Sequence, residues 1–247
     1  MNIVVIQARM GSTRLPGKVL KKLNGIPMLL FLINRVKLTK NIDKIIIATT
    51  NNKNDLEIIN FCRSNAIDYF CGNEHDVLDR YYHCALKYKA KNIIRITADC
   101  PLIDPIVIDN TIKLFNNKKV DFAANTIPPE TRKWPDGSDV EVFSFKALEK
   151  AYLAATKEER EHVTFYMWRN NPKIKKIQLN NNYDWSKYRY TIDYPEDYEK
   201  VKKIINILNI NNEFGYTEEI IKIIESNKDM QSNNKKFKFG HGWKNNK

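Results

Sequence analysis

The stretch Asn2–Lys18, NIVVIQARMGSTRLPGK, decides how the chain is read. Asn2 to Ile6 is a short apolar run without polar alternation, the pattern of a strand buried on both faces of a parallel sheet. Gln7 to Lys18 then turns polar, holds Gly11 and Gly17, and carries the cations Arg9, Arg14 and Lys18. In open α/β sheets ligands bind beyond the carboxyl ends of the strands, which is where this loop begins.

The same alternation of strand and helix continues outward. Pro27 opens an apolar helix through Met28, Leu29, Leu30, Leu32, Ile33 and Val36. KIIIAT (44–49) is a second unbroken apolar run, followed by a helix over 55–64, a short strand at 68–70 and a helix over 76–89. NIIRIT (92–97) is the next strand, and Pro105 starts a helix to about Phe115. This order predicts an α/β fold with a mostly parallel, doubly wound sheet and right-handed crossovers. Beyond a proline-rich stretch (Pro128, Pro129, Pro135), DVEVF (139–143) alternates like a partly exposed strand. Helices are expected over 146–155, 157–169, 196–208 and 217–225, and strands over 174–179 and 189–192. A single domain over 1–225 and a basic tail over 226–247 follow.

At 247 residues with 43% hydrophobic content, the chain can bury a full core without disulfides or structural metals. No apolar run approaches the ~20 residues needed to span a bilayer. The opening residues read as a strand rather than a signal peptide. The four cysteines, Cys62, Cys71, Cys84 and Cys100, have no CxxC spacing, which points to a reduced cytoplasmic setting. His83 and Cys84 are consecutive on a predicted helix and cannot readily face one zinc ion. Lysine and arginine exceed the acids by 12 charges, but they are spread along the chain, so nucleic acid is not singled out as a partner.

Three polar segments lie at strand ends and are expected to converge. In the first, Gln7, Ala8, Gly11 and Ser12 supply backbone, and Arg9, Arg14 and Lys18 supply charge, for a triphosphate cradle. It is neither a Walker A loop, since Val19 stands at the last position, nor GxGxxG, and a basic surface loop is the plain alternative. The second, Ala98-Asp99-Cys100-Pro101, brings a carboxylate suited to Mg²⁺, which takes one or two carboxylates plus substrate phosphates, with Thr97 and Ala98 beside the nucleotide. Asp99, like Asp104, could instead cap the following helix. The third, TIDYPED (191–197), can add Asp193 as a second carboxylate, with Asp197 in a first helical turn. Cys100, next to Asp99, reads either as a small apolar neighbour or as a thiol whose reactivity makes the enzyme thiol-sensitive.

The opening VIQARMGSTRLPGKVL (5–20) resembles the signature of the SpsF-like spore-coat polysaccharide cytidylyltransferases, relatives of the acylneuraminate and 3-deoxy-manno-octulosonate cytidylyltransferases. HDVLDRYYHCA (75–85), RITADCPLIDP (95–105), PDGSDVEVF (135–143), EREHVT (159–164) and TIDYPEDY (191–198) continue the match in order. The resemblance implies a GT-A-like nucleotide-diphospho-sugar transferase fold that joins CTP to a sugar acid or related sugar and releases pyrophosphate. It implies that Arg9 and Lys18 grip the CTP phosphates and that Asp99 and Asp193 hold Mg²⁺, which makes Arg9, Lys18 and Asp99 the catalytic candidates. It places Asn73, Asp76 and Asp79 near the nucleotide, and Asp139, Glu141 and His162 near the sugar. A homodimer is common among the relatives.

Two other readings compete. One is a GT-A glycosyltransferase that consumes a nucleotide sugar, against which stands the lack of a second Asp after Asp99 in ADCP. The other is a basic polyanion-binding module with an inactive site, resting on Lys235, Lys236, Phe237, Lys238, Phe239, Trp243 and Lys244.

Overall fold

The apolar runs become the centre of a seven-stranded sheet in the computed structural model, which describes residues 1–169 and 171–232. In chain order the strands are β1 (Asn2–Gln7), β2 (Lys22–Leu23), β3 (Ile26–Pro27), β4 (Lys44–Thr50), β5 (Asp68–Gly72), β6 (Asn92–Thr97), β7 (Phe122–Ala124), β8 (Glu141–Ser144) and β9 (Lys176–Gln178). The helices are α1 (Met28–Val36), α2 (Leu56–Ser64), α3 (Val77–Lys87), α4 (Pro105–Lys118), α5 (Phe145–Ala154), α6 (Lys157–Arg160), α7 (Phe165–Trp168), α8 (Pro195–Asn211), α9 (Thr217–Ser226) and α10 (Lys228–Ser232).

The main sheet runs β5-β4-β1-β6-β8-β7-β9, while β2 and β3 form a small hairpin that the sequence pattern did not announce. Within the main sheet all pairings are parallel except those of β8, which runs against both β6 and β7. The sheet is therefore mostly parallel, as expected. From β1 the chain winds outward to β4 and β5, then returns to β6 on the other side of β1. The crevice at this reversal lies beyond the ends of β1 and β6.

Successive residues of β1 feed two cores. Val4 and Ile6 pack with Ile47, Ile94 and Ile96 beneath α1, α2, α4, α8 and α9. Ile3 and Val5 pack with Ile46, Ala48, Ile93 and Phe143 beneath α3, α5 and α7. Burying each such side chain stabilises the fold by about 1.5–3 kcal/mol. Caps set several helix starts: Asp76 accepts from the Asp79 amide, Asp104 from Ile106 and Ser144 from Ala147.

Three elements differ from the sequence pattern. The helix expected over 157–169 is broken into α6 and α7, because Val163 adopts φ 57° while fully buried. The segment 189–192 is extended but makes only a single bridge, Asp136 to Arg189. DVEVF is not half-exposed: β8 lies inside the sheet, and Glu141 is buried there because Arg95 of β6 reaches it at 3.0 Å. The long excursion between β7 and β8 is closed by one side chain. Asn125 Oδ1 accepts from the Val140 amide at 2.8 Å, and its Nδ2 donates to the Ser138 carbonyl at 2.7 Å. After α9, Met230 of α10 is buried in the first core. Lys235, Lys236, Phe237, Lys238, Phe239, Trp243 and Lys244 lie outside the described residues.

Candidate active site

The loop leaving β1 is fastened by a residue far along the chain. Asp55, buried just before α2, accepts the Met10 amide at 2.7 Å and the Thr50 hydroxyl. Gly17 (φ 66°) folds its end back so that its amide reaches the Met10 carbonyl at 3.1 Å. Among the described residues the amides of Gly11, Thr13 and Arg14 have no protein acceptor, and nothing lies within 4 Å of a Cβ built on Gly11. These amides form a donor array open to an anion.

Lys18 is the centre of the site. Its Nζ donates to the Ile192 carbonyl at 2.6 Å and lies 3.1 Å from Asp193 Oδ1 and 3.4 Å from Asp99 Oδ2. Burial disfavours its charge, but the two carboxylates outweigh that and hold its pKa above the ordinary lysine value. Arg14 adds a second cation on Asp193 Oδ1 at 3.1 Å and bonds the Tyr194 hydroxyl at 3.1 Å. For Asp193, burial is likewise overcome by Lys18, Arg14 and Arg189, so its pKa falls below the usual carboxylate range. The Asp99 carbonyl accepts from the Ile192 amide at 2.8 Å and the Thr191 hydroxyl at 3.1 Å, tying the two carboxylate-bearing segments together. The three segments expected to meet do meet.

Two adjoining clefts open here and share Gln7, Ala8 and Arg9. One, about 250 Å³, is lined by the β1 loop, Thr97, Ala98, Asp99 and Asp193. The other, about 300 Å³, is lined by Glu74, His75, Val77, Arg80, Arg95, Glu161 and His162. Gln7 Oε1, Arg80 Nε, Arg95 Nε and His162 Nε2 are buried without hydrogen-bond partners in this second cleft. Burial also lowers the His162 pKa below the ordinary imidazole value. Arg9 is half-exposed at the shared wall, 3.8 Å from Glu74.

Other sequence candidates have structural work. Asn73 Oδ1 accepts the His75 and Asp76 amides, shaping the turn before α3. Asp76 caps α3 and pairs with Arg160 at 2.6 Å, and Asp79 pairs with His83 at 3.3 Å. Neither cleft is lined by these three; their neighbours Glu74, His75, Val77 and Arg80 line the second. Glu141 is held by Arg95, and Asp139 accepts from the Thr126 hydroxyl at 2.7 Å and the Gly137 amide at 2.9 Å. Asp104, not Asp99, caps α4, and Asp197 accepts the Asp193 and Tyr194 amides. Cys100 is buried, with its thiol pKa pushed up by burial and by Asp99 and Asp139, which favours the small apolar neighbour over the reactive thiol.

Asp55, Arg189, Arg80 and Arg95 were missed from the sequence. A charge inside the buried run NIIRIT was a signal for Arg95. Arg189 carried one too, since Arg189, Thr191 and Asp193 share one side of an extended segment.

The two carboxylates present hard oxygen donors on either side of one ammonium nitrogen, a place already built for positive charge. Among the described residues no group of three or more His, Cys, Asp or Glu side chains could hold a metal. A divalent ion held by Asp99 and Asp193 would have to take its remaining ligands from substrate oxygens and water, as Mg²⁺ commonly does. The donor set fits.

Comparison with known proteins gives this geometry its class. A family model described as Cytidylyltransferase matches residues 3–234. The chain belongs to the cytidylyltransferase family. As a cytidylyltransferase it is a CTP-dependent nucleotidyltransferase. It is 33% identical to the spore coat polysaccharide biosynthesis protein SpsF of Bacillus subtilis over 82% of this chain and 85% of that one. It is 30% identical to an 8-amino-3,8-dideoxy-manno-octulosonate cytidylyltransferase from a Shewanella species, over 51% of this chain and 53% of the relative. A solved cytidylyltransferase from Leptospira borgpetersenii serovar Hardjo-bovis superposes with a TM-score of 0.85 at 34% identity, covering 94% of this chain and 97% of that one.

Proposed function

We propose that this cytidylyltransferase is Mg²⁺-dependent and joins CTP to a sugar acid or related cell-surface sugar, giving a CMP- or CDP-activated sugar and pyrophosphate. The observation that carries the reading is the Lys18 ammonium set between Asp99 and Asp193 beneath a loop of unspent amides. The loop amides with Arg9, Arg14 and Lys18 bind the triphosphate, and Asp99 and Asp193 hold the metal. The second cleft, with its unpartnered nitrogens on Arg80, Arg95 and His162, offers donors to a polar ligand beside the phosphates. The polysaccharide and octulosonate relatives support a sugar as the acceptor.

An acceptor oxygen attacks the α-phosphorus in line, and the bond to the β-phosphate oxygen breaks. Its electron pair leaves with pyrophosphate, and a hydroxyl acceptor loses its proton to water. The protein contributes positioning and charge neutralisation. Arg9 and Lys18 balance the departing charge. When bound, Mg²⁺ supplies Lewis-acid screening of the phosphate oxygens. CTP is a cytoplasmic metabolite, and the reading carries that location with it. It also leaves room for a homodimer, which gel filtration checks.

The test is pyrophosphate release from CTP with a panel of sugar acids and sugar phosphates, with Mg²⁺ and with EDTA. Release that needs CTP, acceptor and metal supports the reading. Equal release in EDTA removes the metal, and turnover of nucleotide sugars without pyrophosphate points to a glycosyltransferase.

A further inference from the structure

Asp193 has two oxygens in different surroundings. Oδ1 faces Lys18 and Arg14, each at 3.1 Å, at the cleft. Oδ2 is taken by Arg189 Nη2 at 3.1 Å. Arg189 is itself buried, with both terminal guanidinium nitrogens engaged. Its Nη2 also donates to Asp197 Oδ2 at 3.0 Å, and its Nη1 bonds Asp136 Oδ2. Its carbonyl accepts from Lys200 Nζ at 2.8 Å, and the amides and carbonyls of Asp136, Tyr188 and Tyr190 lock its backbone. The approach is so close that a Cβ on Gly137 (φ 108°) would stand 2.5 Å from the Thr191 nitrogen. Asp197 further holds the Asp193 and Tyr194 amides.

We propose that Arg189 is a positioning residue that holds the inner oxygen of Asp193 so that the other stays turned into the cleft for the metal–triphosphate. This rests on the metal reading above. A carboxylate on a loop before a helix swings freely about χ1 and χ2; tethering one oxygen leaves a single oxygen in one place. The guanidinium suits the task because its planar fork spans Asp136 on one side and Asp193 with Asp197 on the other, which a lysine point charge cannot do.

The test measures Mn²⁺ binding to the CTP-bound enzyme by loss of the free-ion electron paramagnetic resonance signal, alongside KM and kcat for CTP. Arg189→Gln should weaken Mn²⁺ binding by about 10–100-fold, the usual effect of removing a residue that orients a ligand. Arg189→Lys should recover part of it, and kcat at saturating Mn²⁺ should fall less than the metal affinity. In an Asp193→Asn background, Arg189→Gln should change Mn²⁺ affinity no further. A folded Arg189→Gln that binds Mn²⁺ like the wild type overturns the proposal. If that variant does not fold, Asp136→Ala, which frees one end of the guanidinium, replaces it. It should weaken Mn²⁺ binding in the same direction, and wild-type affinity there overturns the proposal as well. A wild-type enzyme that binds CTP but no Mn²⁺ defeats the metal reading itself, a result distinct from an effect confined to Arg189.

Discussion

At the scale of single residues, the site is a cluster of charges whose values are set by burial and by each other. Lys18→Ala or Asp99→Asn should lower turnover on the order of 10²-fold, since one charge contact at the reacting phosphates contributes about 3 kcal/mol. Steady-state pyrophosphate release measures the loss, and an unchanged melting curve shows that the fold survived. Acidity behind the site makes a second prediction. Burial pushes the Asp136 carboxyl up to about 7, outweighing the attraction of Arg189, with Asp139 adding repulsion. Arg189 itself, facing Asp136, Asp193 and Asp197, stays firmly protonated. Between the ordinary carboxylate range and about pH 7 the folded chain keeps a proton on Asp136 that the unfolded chain has lost. Stability from this group is full below that window and falls as pH rises through it. Asp136→Asn removes this contribution, so urea midpoints from pH 4 to 8 should decline less steeply than in the wild type. A variant with the same slope would contradict the shift.

At the scale of elements, the loop after β1 owes its shape to α2's neighbour Asp55, which the sequence hid. Asp55→Ala leaves the Met10 amide and the Thr50 hydroxyl unpaired, at a cost of about 3 kcal/mol. Urea unfolding reads that cost, and CTP affinity should fall with it because the loop loses its anchor. What the sequence made legible follows the same division. β1, β4 and β6 were readable because strands buried on both faces leave unbroken apolar runs, and the residues after β1 and β6 were readable as their carboxyl ends. Lys18 and Asp99 followed from that placement, whereas Asp193 ends a segment outside the main sheet and was put in the ligand set by the family resemblance. The hairpin of β2 and β3 was not readable, being two residues a strand. Nor was β7, whose three residues Phe122–Ala124 carry no pattern. The split of α6 from α7 depends on a left-handed Val163, a conformation that propensity disfavours and tertiary packing enforces. Asp76 and Asp79 look like ligand acids in sequence; only the fold shows one spent on a helix start and the other on His83. Arg35 escaped notice in the same way. Burial lowers its pKa to about 10, and it donates to the carbonyls of Leu102, Ile103, Phe214 and Gly215, clamping α1 to the start of α9.

At the scale of the whole molecule, the packing of α10 tells where the folded unit needs its chain. Ending the protein after Ser226 removes Met230 from the core, a loss of about 2 kcal/mol that should lower Tm by about 6 °C. Ending it after Ser232 keeps that packing, so the two truncated chains should differ in Tm by that amount. Differential scanning calorimetry separates the two. CTP with Mg²⁺ at 100-fold its Kd should stabilise the intact chain by about 2.7 kcal/mol. No helix among the described residues is long and apolar enough to cross a membrane. The antiparallel course of β8 has a last consequence. Because it enters the sheet from the ligand side, the chain from Asn125 to Val140 leaves and rejoins two neighbouring strands at one point, where Asn125 ties both ends. That loop is no free appendage: its Asp136 bonds Arg189 and its Gly137 lies against Thr191, so rewriting its interior would be felt at the Asp193 carboxylate.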